Sequence, residues 1–149
     1  MGIVFLRSGY IAPHPIRGLG FIWLNALILL TVSFLGGTRL STLANGVMVF
    51  GLYGIAFIGG WIEQIGTFMT NISASQAAIN IGVISSLILP SEALWKRAVY
   101  EIQSPLVTTL GFSPWTGQTY PSTIMIVYSI IYLIIMFALA VRFFHLRDL

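Results

Sequence analysis

Residues 85–103 read SSLILPSEALWKRAVYEIQ and hold Glu92, Lys96, Arg97 and Glu101, four of the eleven formally charged side chains in the chain. Two carboxylates and two cations so close together can move protons, hold a polar ligand or pair with one another. Their spacing favours pairing. Glu92–Lys96 and Arg97–Glu101 are each four residues apart, which puts each pair on one face of a helix. Glu92 falls in the first turn of that helix, where the macrodipole favours an anion, and Ser91 is a fitting N-cap. Leu94, Trp95, Val99 and Ile102 supply an apolar face, and Trp95 and Tyr100 suit a membrane interface. Other chemistry is thin. His14 and His145 stand near opposite ends of the chain, there is no cysteine, and no GxxxxGK[ST] phosphate loop occurs. Ser85, Ser86 and Ser91 have no evident general base. No catalytic residue, cofactor or metal is expected.

The elements that must position this cluster follow from composition. Hydrophobic residues make up 57% of the 149 and charged residues 7%, against about 25% charged in a soluble domain. The mean hydropathy is +0.93. Such a chain is expected to be an all-α integral membrane protein, with the lipid bilayer as its first partner. The net charge of +3 is scattered, whereas nucleic-acid binding needs a clustered basic face.

A helix crosses the hydrocarbon core with about 20 apolar residues. Charge-free runs predict three spans, near 19–38, 43–62 and 122–142, in a single transmembrane domain over 1–149. The first run is not a signal peptide, because Met1 to Arg17 is too long and irregular for an n-region and no small-residue cleavage site follows. A fourth apolar stretch, Ile79 to Leu89, is only half the spanning length. Pro90 cannot donate to a continuing helix and disfavours helical geometry at Leu89. We therefore read 77–103 as an elbow: a short re-entrant helix, a break at Pro90, then an amphipathic helix at the membrane surface. The alternative is one full span over 77–102 with paired charges at one end. Polar or Pro/Gly-rich segments at 11–17, 37–46, 63–71 and 104–122 are expected as connections. Glu63 and Gln64 are read as a solvated helix end.

Arg142, His145 and Arg147 crowd the end of the third span, and the positive-inside rule puts the C-terminus in the cytoplasm. The turn holding Arg39, Ser41 and Thr42 is then inside, and residues 63–121 and the N-terminus are outside. That arrangement also puts Arg7, Arg17, Lys96 and Arg97 outside; a four-span reading reverses part of it. Within the spans, Gly51, Ala56 and Gly60, and further on Gly82 and Ser86, offer small surfaces for close helix packing, either inside a small bundle or at a dimer interface or substrate path.

The order of these pieces is informative. A span ends in GTRLSTLANG, a Gly-rich span FGLYGIAFIGGWIEQIG follows, then NIGVISSLILPSEALWKRA, a Pro/Gly loop and a last span closing with VRFFHLRDL. The series resembles the C-terminal half of the type-2 permeases that form the membrane subunit of ABC exporters. The resemblance implies a multi-pass permease of the prokaryotic plasma or inner membrane. It also implies a second permease subunit, identical or not, and a cytoplasmic ABC ATPase subunit that supplies the energy. The Arg39 turn would be the cytoplasmic loop between spans four and five. The elbow with Pro90, Glu92, Lys96, Arg97 and Glu101 would be an external cap on the export pathway. Such permeases have six spans, so the first three are expected on a longer chain or another polypeptide. The rival readings are a small structural or assembly membrane protein without transport activity, and an intramembrane lipid enzyme. The enzyme would need clustered polar groups at one depth of the spans, and none is visible.

Overall fold

The computed structural model describes residues 13–68, 75–103 and 121–146. They form five helices: α1 (Pro15–Gly37), α2 (Thr42–Phe68), α3 (Ser75–Ile88), α4 (Ser91–Ile102) and α5 (Thr123–His145). Three are long and apolar enough to cross a membrane, over Pro15–Gly37, Thr42–Gly66 and Thr123–His145; α3 and α4 form a pair bent by 101°. At 1.5 Å per residue, 23 residues reach about 35 Å, enough for a hydrocarbon core of about 30 Å, whereas the 14 residues of α3 reach only about 21 Å.

Local chemistry sets the boundaries. Proline occupies the first turn of α1, where a missing N–H costs nothing. Helix therefore begins at Pro15, inside the segment 11–17 expected as an extended connection. Arg7, residues 11–12, most of the 104–122 loop and the tail from Arg147 lie outside the described residues. α1 ends at Gly37, and the Thr38 N–H folds back onto the Phe34 and Leu35 carbonyls. A tight turn leads into α2, and across it the Asn45 side-chain amide donates to the Ser33 carbonyl at 2.9 Å. Gly36 leaves the space that Asn45 fills. At the other end α2 runs into the segment 63–71 expected as a connection, as far as Phe68; residues 69–71 lie outside the described residues. The α3–α4 break lies at Pro90: the Leu89 N–H closes the last bond of α3 onto Ser85, and the Pro90 carbonyl opens α4 by accepting from Leu94.

α3 lies antiparallel along the second half of α2, with Gly82 opposite Glu63 and Ser85 opposite Gly59. α4 then crosses to α1, and α5 packs on α1. The small core sits where these helices meet, formed by Ile28, Val32, Ala56, Leu89 and Leu94. The bend of the α3–α4 pair therefore reaches the middle of the bundle, since Leu89 shares a cluster with Ala56 of α2. Much apolar surface faces outward, including Phe50 at 78% exposed and Ile124 at 79%. A water-soluble chain would bury it; in a bilayer the lipid tails are as apolar as the side chains.

The bundle has two distinct ends. At the elbow end, α1 begins, α2 finishes and α5 starts beside the α3–α4 pair. At the turn end lie residues 38–41 and the last turn of α5, joined by the Arg39 guanidinium 4.3 Å above the Phe143 ring.

Candidate functional site at the elbow

The junction between α2 and the bent pair gathers most of the chain's described charge. Glu63 comes from α2, and Glu92, Lys96, Arg97 and Glu101 from α4. The Lys96 ammonium donates to Glu63 Oε2 at 2.9 Å and, at 3.4 Å, to the Gly60 carbonyl of α2. The Lys96 side chain is only 7% exposed and that of Glu63 21%, so this pair is largely out of water. Arg97 Nη2 reaches Glu101 Oε1 at 3.1 Å, and its guanidinium lies 5.6 Å from the centre of the Tyr100 ring. The His14 N–H donates to the Glu101 carbonyl at 3.2 Å, tying the start of α1 to the end of α4.

Close approach is possible because the contacting positions lack side chains. A Cβ on Gly82 would overlap Glu63, one on Gly60 would overlap Glu92, and one on Gly59 would overlap Ser85. Glu92, on the bent pair and not on a span, is pushed above the ordinary carboxylate value of 4.5; burial is the main cause, Lys96 opposes it, and Glu63 adds to it. A cavity of about 250 Å³ opens among Glu63, Glu92, Lys96, Ser86, Ser122 and Met125. Two carboxylates around one ammonium can hold the elbow to α2 and offer that ammonium a choice of partner. Among the described residues no group of three or more His, Cys, Asp or Glu is placed to hold a metal ion.

Several expectations need correction here. Arg97–Glu101 forms as the four-residue spacing predicts, but Lys96 pairs with Glu63 on another helix and not with Glu92. An ammonium this buried needs a close acceptor, and Glu63 is directly opposite. Glu63 is accordingly not a solvated helix end. On α4, Lys96 and Glu101 are buried against the bundle and do not face outward. Ser91 does not cap α4. It is the first helical residue, Pro90 holds the cap position, and the buried Ser91 hydroxyl has no hydrogen-bond partner.

The other predicted residues are scattered over the bundle. Pro90 is buried at the bend and Ala56 in the core. Gly60, Gly82 and Ser86 line the α2–α3–α4 contact, with the Ser86 hydroxyl donating to the Val83 carbonyl. Gly51 has open space beside it within the chain. Arg39, Ser41 and Thr42 are exposed at the opposite end, where Ser41 Oγ accepts from the Ala44 N–H at 3.4 Å. Sequence reasoning missed Glu63 as the partner of Lys96. The available signal was that Glu63 is the single charge between Arg39 and Glu92. No protein-family model, curated protein or solved structure matches the chain.

Proposed function

We propose that the chain is a permease subunit of an ATP-binding cassette exporter, lining part of the pathway for a substrate of unspecified class. One observation carries the reading. Between the second and third spans lies a helix pair bent by 101°, with Leu89 at the bend in the core and the end of α4 tied back to the start of α1. Its walls carry a cavity with polar groups at the end of a span. A structural bundle has no need of such an element, whereas a pathway needs a cap at one end. The spans support a separate energy source. α1 is charge-free after Arg17, α2 before Glu63 and α5 before Arg142, so no Asp, Glu, His, Lys or Arg is available mid-span to carry a coupling proton. In this reading a cytoplasmic ABC ATPase drives the cycle and a second permease subunit completes the pathway. The protein resides in a prokaryotic cell membrane, with the turn end and C-terminus in the cytoplasm, as the basic residues there favour.

The test is affinity capture of the tagged chain from detergent-solubilised native membranes, with mass spectrometry and an ATPase assay. The proposal expects a P-loop ATPase to co-purify, with activity that falls in Arg39→Glu. Recovery of the chain alone, or only with copies of itself, would overturn it in favour of a structural membrane protein.

A further inference from the structure

We infer that the groove between α1 and α5 at the turn end binds one anionic phospholipid, with an acyl chain along the groove and the phosphate at its basic rim. The groove has a volume of about 190 Å³ and is lined by Phe34, Thr38, Phe137, Ala140, Val141 and Phe144. Thr38 is its one polar lining residue. Phe34, Phe137 and Phe144 are each more than half exposed, so the groove opens sideways toward lipid. It is smaller than the roughly 300 Å³ at which small-molecule pockets begin, and its lining is apolar but for Thr38, which fits part of an acyl chain better than a polar small molecule.

An apolar wall alone cannot choose its occupant in a bilayer, because every lipid tail is as apolar as the groove. Selection must come from the rim. Arg39 adjoins Thr38 in sequence, and Arg142 and His145 stand in the last turn of α5. Arg39 lies over the Phe143 ring, which orients its guanidinium while leaving its in-plane N–H donors for an oxyanion. Neither Arg39 nor Arg142 makes an ion pair among the described residues. The described carboxylates, Glu63, Glu92 and Glu101, are all at the other end. In the sequence around this end, Arg39, Arg142 and Arg147 outnumber the one acidic residue, Asp148, so positive charge is in excess at the depth where two helices end, which is where a bilayer places lipid phosphate. Each basic residue near that layer favours an anionic lipid about fivefold.

The experiment is native mass spectrometry of the full chain, purified in detergent and equilibrated with equal amounts of phosphatidylglycerol and phosphatidylcholine. Phosphatidylglycerol should be retained at least fivefold over phosphatidylcholine. Arg39→Gln and Arg142→Gln should each lower that ratio about fivefold, and Arg17→Gln at the elbow end should leave it unchanged. Val141→Trp, which fills the groove and keeps the rim, should reduce retention of both lipids together. No preference in the parent chain, an unchanged ratio in both rim variants, or an equal fall in Arg17→Gln would overturn the proposal. So would efficient disulfide cross-linking of Val141→Cys between two copies, which would make the groove a protein interface; the chain's lack of cysteine makes that reading unambiguous.

Discussion

The elbow end and the turn end of this bundle use charge in opposite ways. At the elbow end, Lys96 is buried and bonded across helices to Glu63 and Gly60, and glycines bring the backbones together. At the turn end, Arg39 is exposed and stacked on Phe143 beside an open groove. The first arrangement leaves an expensive orphan when one partner is removed; the second leaves only a slightly looser surface. A buried pair thus dictates which helices must be neighbours, while an exposed cation keeps its ability to meet something outside the chain.

The largest break in this comparison should come from Lys96→Ala. It leaves Glu63 partly buried and without its cation, and is expected to cost about 3 kcal/mol, the low end for a broken buried pair because Glu63 keeps some solvent. Thermal unfolding in detergent would show this, and Glu63→Gln combined with Lys96→Met should recover most of the loss. If the single change matches the double, the pair does not hold the elbow.

Next in size is Gly82→Ala. The added Cβ meets Glu63 near its backbone, so the helices must part, at about 1–3 kcal/mol. Gly51→Ala, with open space around it, should instead stabilise by about 0.5–1 kcal/mol through helix propensity. Equal behaviour of the two glycines would show that α3 does not press on α2 as described.

A third effect is pH-dependent. The folded chain holds the Glu92 proton more tightly than the unfolded chain does. Its contribution is therefore fully present below the ordinary value of 4.5 and is lost as pH rises through the raised value. Thermal scans across that window should show the melting temperature falling with rising pH, and Glu92→Gln should flatten the slope. A slope unchanged in that variant would assign it to another group.

The smallest effect belongs to the turn end. Arg39→Ala removes one cation–π contact at an exposed site, worth about 0.5–1 kcal/mol, in the same unfolding assay. A loss as large as that of Lys96→Ala would erase the contrast between the two ends.

Much of the fold was legible because its signals are local. Charge-free runs of spanning length mark α1, α2 and α5, the half-length run before Pro90 marks α3, and the four-residue spacing marks Arg97–Glu101. The errors lie where neighbours in space decide. Spacing alone made Glu92 the partner of Lys96, and Ser91 looked like a cap because only the next few residues were in view. Gly51 and Gly82 are alike in sequence; α3 lies against one of them and open space against the other.

The sequence by itself determined that this is a helical membrane protein with three spans and a bent pair, because hydropathy, length and the missing proline N–H act within a segment. The tertiary structure decided that the elbow is pinned to α2 through Glu63 and Lys96, and that Arg39 meets the end of α5. Those pairings join residues 33 and 104 positions apart. Such partners are chosen by how the helices pack and by the need of a buried charge for the nearest opposite one, and neither is written in any single segment.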